Sequence, residues 1–217
     1  MKIVGEALGA AFLTLAVVGS GIMAQSMSQD IGIQLLINSL ATVAVLFILI
    51  NLIAPISGAH FNPAVTLVAL LKREISLKNS MGYISAQFIG AISGTWIAHL
   101  VFDHTIFEVA VRERSGAHLF FSEVIATFGL IIIVFARWSE YSINHRAALI
   151  SLWIGAGYFF TSSTSFANPA VTLARVFTDT FSGIAPSSAG SFIVAQLVGA
   201  LLAFVFLLRL QEKSVKL

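Results

Sequence analysis

Apolar residues run along this chain in long stretches, and the breaks between them are short clusters of glycine, proline and charge. Reading runs against breaks predicts full-length helices near residues 3–24, 31–53, 80–102, 118–137, 146–161 and 189–210. Each is about as long as the roughly 20 residues that carry a helix across the roughly 30 Å hydrocarbon core of a bilayer. Two shorter apolar pieces remain, from Asn62 to Leu71 and from Asn168 to Phe177. At about 1.5 Å of rise per residue, each reaches only about half-way across. The pattern predicts an all-α membrane protein with six transmembrane helices plus two re-entrant half-helices.

The pattern also repeats. Asn62-Pro63-Ala64-Val65-Thr66-Leu67 recurs as Asn168-Pro169-Ala170-Val171-Thr172-Leu173, Ala86-Gln87-Phe88-Ile89-Gly90-Ala91 recurs as Ala195-Gln196-Leu197-Val198-Gly199-Ala200, and Glu6 with its apolar flank matches Glu123. The offsets are 106, 109 and 117 residues, in the same order along the chain. Three pairs in register indicate two copies of one unit, approximately 1–110 and 111–217, within a single transmembrane domain spanning 1–217. Three full crossings per unit reverse the direction in which the second copy enters the bilayer, so the repeat is inverted.

Composition sharpens the membrane reading: hydrophobic residues make up 58% and charged residues 10%, where soluble domains carry about 25% charge. A secretory signal peptide is suggested by Lys2, the apolar run to Met23 and the small residues after it, but Glu6 interrupts that run and the segment has an internal counterpart. With a cytoplasmic N-terminus, the inner side receives Lys2, Lys72, Arg73, Lys78, Arg137, Arg146, Arg209, Lys213 and Lys216, and the outer side only Arg112, Arg114 and Arg175. The positive-inside rule favours that topology, with both termini cytoplasmic. The cations form no stripe interleaved with aromatics, so nothing points to nucleic acid. The absence of cysteine excludes disulfides, thiolate metal sites and cysteine nucleophiles. His99, His104, His118 and His145 lack ligand spacing, so no metal or other cofactor is expected.

In each Asn-Pro-Ala box the asparagine is a good N-cap and proline suits the first helical position. One such box would merely start a buried helix. Two identical boxes, each opening a segment too short to span, place Asn62 and Asn168 together near mid-bilayer. Irregular backbone is tolerated there only when buried in protein or lining a water-filled cavity. The segments before the boxes, Gly58-Ala59-His60-Phe61 and Thr164-Ser165-Phe166-Ala167, can offer carbonyls as a ladder of acceptors down such a cavity.

Ser57 through Thr66, the second box, the paired Glu6 and Glu123 and the two Ala-Gln-x-x-Gly-Ala segments resemble the major intrinsic protein (aquaporin) family over nearly the whole chain. The resemblance implies a passive pore for water and small uncharged solutes, a homotetramer with one pore per subunit, and His60 lining the cytoplasmic half. The short termini suit a prokaryotic inner membrane. In such pores the half-helix N-termini, each worth roughly half a positive charge, are already known to repel protons and cations. Glu6 and Glu123 are intramembrane acids and so functional suspects; the resemblance makes them braces for the re-entrant loops. A proton-coupled transporter is the rival reading.

The family's outer constriction is set by four positions, and counting without gaps from the boxes puts these at Thr42, Ala156, Ser165 and Val171. Most members carry arginine where Val171 stands, and the histidine and aromatic residue of water channels are missing too. The constriction is expected to be wider, less polar and without a fixed positive charge, suited to glycerol, urea or undissociated metalloid acids. Valine at this position also resembles a bacterial subgroup linked with arsenical permeation, which makes arsenite a candidate. Arg175, one turn later, either swings back toward the pore or, as preferred here, anchors the half-helix end at the outer interface near Asp179. An intramembrane hydrolase is not expected, because Ser57 and His60 lack a nucleophile turn and a carboxylate partner.

Overall fold

The computed structural model describes residues 1–136 and 141–214, with side chains up to Leu210. Arg137 and Lys216, counted above among the inner cations, lie outside the described residues, as does the side chain of Lys213. In chain order the helices are α1 (Lys2–Met27), α2 (Ile31–Ser57), α3 (Pro63–Leu71), α4 (Leu77–Val101), α5 (Ala117–Phe135), α6 (Ile143–Phe160), α7 (Pro169–Ala174) with a 3-10 turn at Arg175–Phe177, and α8 (Pro186–Ser214). The described residues contain no strand. Five of these helices, all but α3, α6 and α7, are long and apolar enough to cross a membrane. The sixth full helix, α6, opens on Asn144, His145 and Arg146, which dilute its apolar stretch.

Capping side chains set several helix starts, at the limit of the apolar run for α2 and ahead of it for α4 and α6. Asp30 accepts from the N–H groups of Gly32 and Ile33 at 2.7 and 3.1 Å, and Ser76 and Ser142 cap α4 and α6 in the same way. Helix α2 runs through Pro55 to Ser57, four residues beyond the expected end, and stops where Gly58 takes φ 92°.

The two halves are built alike. Helix α1 packs on α4 and α2, as α5 packs on α8 and α6. The halves meet through α2 and α6, and each half-helix also reaches into the other half, α3 onto α8 and α7 onto α4. Glycine makes the tightest of these approaches possible. A Cβ on Gly90 or Gly94 would lie 2.1 Å from the carbonyl oxygen of Ala7 or Ala11, and one on Gly199 would lie 2.4 Å from that of Val124. The backbones of α1 and α4, and of α5 and α8, therefore touch where small residues repeat every four.

Exposure is inverted relative to a water-soluble protein. Leu40, Leu52, Ile89, Phe121 and Leu152 are exposed, whereas Glu6, Gln87, His99, Glu123 and Gln196 are fully buried. Apolar residues outside and polar groups within suit a solvent of lipid, and Glu6, Gln87, Glu123 and Gln196 surround the two Asn-Pro-Ala boxes.

Candidate functional site

The residues before each box fold into a left-handed zigzag. Ala59, Phe61, Ser165 and Ala167 have φ of 51°, 50°, 51° and 47°, a conformation that costs a non-glycine residue roughly 1–2 kcal/mol. Its N–H groups have no helical partners, and a carboxylate accepts them in each half. Glu6 Oε1 accepts from the N–H of His60 at 3.0 Å and from the Ser57 hydroxyl at 2.6 Å, while Oε2 accepts from the N–H of Phe61 at 2.7 Å and from Gln87 Nε2 at 2.7 Å. Glu123 accepts from the N–H groups of Phe166 and Ala167 at 2.9 and 2.8 Å, and from Gln196 Nε2 at 2.6 Å. Each glutamine also donates to the threonine of its box, Thr66 or Thr172. One arrangement of bonds is thus made twice.

The boxes meet. Asn62 Oδ1 caps α3 through the N–H of Ala64 at 2.9 Å, and Asn168 Oδ1 caps α7 through those of Ala170 and Val171 at 3.0 and 3.3 Å. The amide nitrogens cross over: Asn62 Nδ2 donates to the Ala167 carbonyl at 2.8 Å, and Asn168 Nδ2 to the Phe61 carbonyl at 2.9 Å. An amide nitrogen carries two protons, so each asparagine keeps one further donor. Pro63, Ala64, Pro169 and Ala170 are buried behind them.

Beside the asparagines runs a cavity of about 320 Å³. It follows α6 from Ile143 and Arg146 at one end to Tyr158 at the other, which is about 22 Å at 1.5 Å per residue. Gly58, Ala59, His60 and Phe61 line it, as do Ser165, Phe166 and Ala167. The carbonyl ladder differs from expectation in two respects. The Phe61 and Ala167 carbonyls are taken by the opposite asparagines, and Thr164 stands off the cavity in a turn closed by its N–H to the Thr161 carbonyl. His60 Nδ1 lies 3.0 Å from Thr66 Oγ1. Because Thr66 gives its own proton to the Asn62 carbonyl, His60 is the donor there. Ser57 does have a carboxylate partner in Glu6, contrary to the sequence reading, but His60 is bonded to Thr66 instead of completing a Ser-His pair.

The outer end departs most from the expected residues. Thr42, Ser165 and Val171 line the cavity; Ala156 does not, and is exposed on the outer face of α6. Ile154 and Tyr158, one helical turn apart, occupy the inward face instead. Ungapped counting slips by two residues here, which turns a helix through more than half a circle. Thr42 Oγ1 donates to the Asn38 carbonyl at 2.8 Å and lies 3.0 Å from the Tyr158 hydroxyl, so Tyr158 is the donor between them and presents its lone pairs. The Ser165 hydroxyl is turned into the space above Gly157, whose Cβ would sit 2.5 Å from it, so Ser165 brings mainly backbone to the cavity.

Arg175 corrects a second expectation. It does not anchor the half-helix near Asp179, whose carboxylate accepts from the N–H of Val111. Its side chain is buried and lines the cavity, with Nε donating to the Ser182 carbonyl and the guanidinium 3.4 Å from the centre of the Phe166 ring. A cation over a ring face is attracted by the ring quadrupole. Arg114, in the loop between α4 and α5, approaches the same ring at 5.2 Å. Burial, and then the charge of Arg112, pull Arg114 down to about 10, which leaves it cationic at neutral pH. Of these two cations, Arg175 lines the cavity and Arg114 does not. Tyr158 was missed because the helical phase of α6 decides its direction, and for Arg175 the structure takes the alternative in which the side chain turns toward the cavity, which the fold of residues 178–182 decides.

The family model of the major intrinsic proteins matches residues 1–166. Aquaglyceroporin AqpS of Rhizobium meliloti (strain 1021) is 45% identical over 209 residues, covering 95% of this chain and 88% of the relative. Aquaporin-5 of Rattus norvegicus is 31% identical over 170 residues, or 70% of this chain and 60% of the relative. The X-ray structure of the aquaglyceroporin from Plasmodium falciparum matches with a TM-score of 0.75 over 94% of this chain and 93% of that one; at 23% identity the likeness is one of fold. With paired boxes in contact beside a cavity and the family model matched over most of its length, the chain belongs to the major intrinsic protein family.

Proposed function

We propose that this chain is a passive membrane channel for water and small uncharged solutes such as glycerol and urea, with undissociated metalloid acids, arsenite among them, as further candidates. The observation that carries this reading is a single cavity lined by both asparagines, with Arg146 and Arg175 also in its wall. Two half-helix N-termini at its waist and a buried guanidinium at its outer end all disfavour cations. Hydrogen-bonding groups, namely the asparagine amides, the free loop carbonyls and the Tyr158 oxygen, replace part of the hydration shell of a neutral solute. Val171 and the Phe166 ring give the outer end an apolar wall suited to a carbon backbone.

The proton-coupled alternative is weakened by the carboxylates themselves. Glu6 and Glu123 stand off the cavity, and their oxygens are committed to loop N–H groups and glutamine amides. We place the two repeats on either side of the loop between α4 and α5, near residue 110, and the termini on the cytoplasmic side of a bacterial inner membrane. We also read the working assembly as a homotetramer, with the exposed apolar helix faces shared between lipid and neighbouring subunits.

Stopped-flow light scattering on proteoliposomes, comparing water, glycerol, urea and arsenite, tests the reading. The wild type should pass glycerol or urea well above empty liposomes, and Val171→Arg should cut those fluxes severalfold while water persists. Glycerol and urea fluxes that stay unchanged with arginine at 171 would mean that the wall formed by Val171 does not set solute size.

A further inference from the structure

Outside the cavity, a line of buried polar side chains leaves α4 and ends where Arg175 is held. His99, in the last turn of α4, is fully buried with both ring nitrogens engaged: Nδ1 lies 2.7 Å from the Thr105 carbonyl oxygen and Nε2 lies 2.8 Å from Thr178 Oγ1. Thr178 Oγ1 is 3.0 Å from Thr180 Oγ1, which is 3.3 Å from Ser182 Oγ. The carbonyl of the same Ser182 accepts from Arg175 Nε.

The direction of this chain follows from its first member. A carbonyl only accepts, so Nδ1 carries the proton and Nε2 of the neutral ring is an acceptor. Thr178 therefore donates to Nε2. With its single proton committed, Thr178 accepts from Thr180, and Thr180 in turn accepts from Ser182. The imidazole thus sets the order of three hydroxyls in a segment that has no repeating backbone bonds of its own. In such a segment, side-chain bonds decide where each carbonyl points. Helix α4 also grips the residue before Arg175, because Thr95, one turn ahead of His99, donates to the Ala174 carbonyl at 3.2 Å.

We propose that His99 is a positioning residue for solute selection: through Thr178 and Thr180 it fixes the Ser182 carbonyl that holds the Arg175 guanidinium across the outer end of the cavity. This rests on the reading of Arg175 as the cation of the constriction. Without the chain, Phe181 keeps its bonds to Gln25, Arg112 and Arg114, but the side chains of Thr178 and Ser182 lose theirs, Arg175 is released from the Ser182 carbonyl, and the outer end widens for bulkier solutes.

The ratio of glycerol to water permeability in proteoliposomes is the readout, because it does not depend on how much protein is incorporated. Arg175→Ala is expected to raise that ratio. His99→Ala and Thr178→Val are each expected to raise it at least threefold, the second variant keeping the size of its side chain while removing the hydroxyl. His99→Gln, whose amide supplies one donor and one acceptor as the neutral ring does, should keep the wild-type ratio, and His99→Ala should add nothing to Arg175→Ala. Wild-type ratios in both His99→Ala and Thr178→Val overturn the proposal, as does a His99→Gln channel that behaves like His99→Ala. An equal further rise on the Arg175→Ala background overturns it as well, and in each of these cases Arg175 keeps its place. No change in Arg175→Ala itself removes the reading underneath.

Discussion

Replacing Glu123 with alanine would leave the N–H groups of Phe166 and Ala167 facing a space without an acceptor, and the Gln196 amide with only Thr172 to accept from it. An orphaned buried polar group costs about 1–3 kcal/mol, so the two N–H groups alone amount to a large share of the 5–15 kcal/mol that holds a typical domain folded. Glu123→Ala is expected to lower the thermal midpoint in detergent steeply and to abolish flux, and Glu6→Ala should do the same for the first loop. A midpoint within a few degrees of wild type would show that the loops hold their left-handed shape without the carboxylates. At this scale the sequence was legible where chemistry repeats and opaque where direction matters. Identical boxes and paired acids stand out in one dimension, because each copy vouches for the other. Tyr158 and Arg175 have no such duplicate, and whether they point inward depends on the helical phase of α6 and on the carbonyl of Ser182.

The helices were legible as apolar runs, and so was the start of α2 at Ile31, but several other ends were not, since Ser76 and Ser142 cap outside the runs and α2 continues through Pro55. The second half-helix was expected to reach Phe177; its α-helical part closes at Ala174, and a 3-10 turn completes it. Contact between elements makes a sharper demand on the sequence. Because the carbonyl of Ala7 lies where a Gly90 side chain would begin, Gly90→Val must push α1 and α4 apart. Overpacking of this kind costs about 1–3 kcal/mol, and Gly199→Val should cost a similar amount between α5 and α8. Each should appear as a lowered midpoint and a lost fraction of monodisperse protein in size-exclusion chromatography. Gly190 has open space around it, so Gly190→Ala should leave both measurements unchanged.

Across the whole molecule, the inverted arrangement follows from an odd number of crossings per unit, which is why the fold could be read from the chain alone. The path of the cavity could not be read in the same way, since α2, α6 and both re-entrant loops contribute to its wall from positions more than a hundred residues apart. A passive pore has no coupling device, so solute flux through reconstituted protein should follow the solute gradient alone. Imposing a pH gradient of either sign on glycerol-loaded proteoliposomes should leave the initial rate unchanged; a rate that reverses sign with the gradient would revive the transporter reading.

The crossed asparagine bonds also bear on how the protein is made. During synthesis, the amide of Asn62 emerges about a hundred residues before the carbonyl of Ala167 that it finally meets. Until then the tip of the first re-entrant loop lacks its partner, inside or beside a membrane that offers few substitutes. The two crossed bonds can form only once both halves are made, so a ribosome stalled before residue 167 would leave behind a chain that has its first helices but no waist.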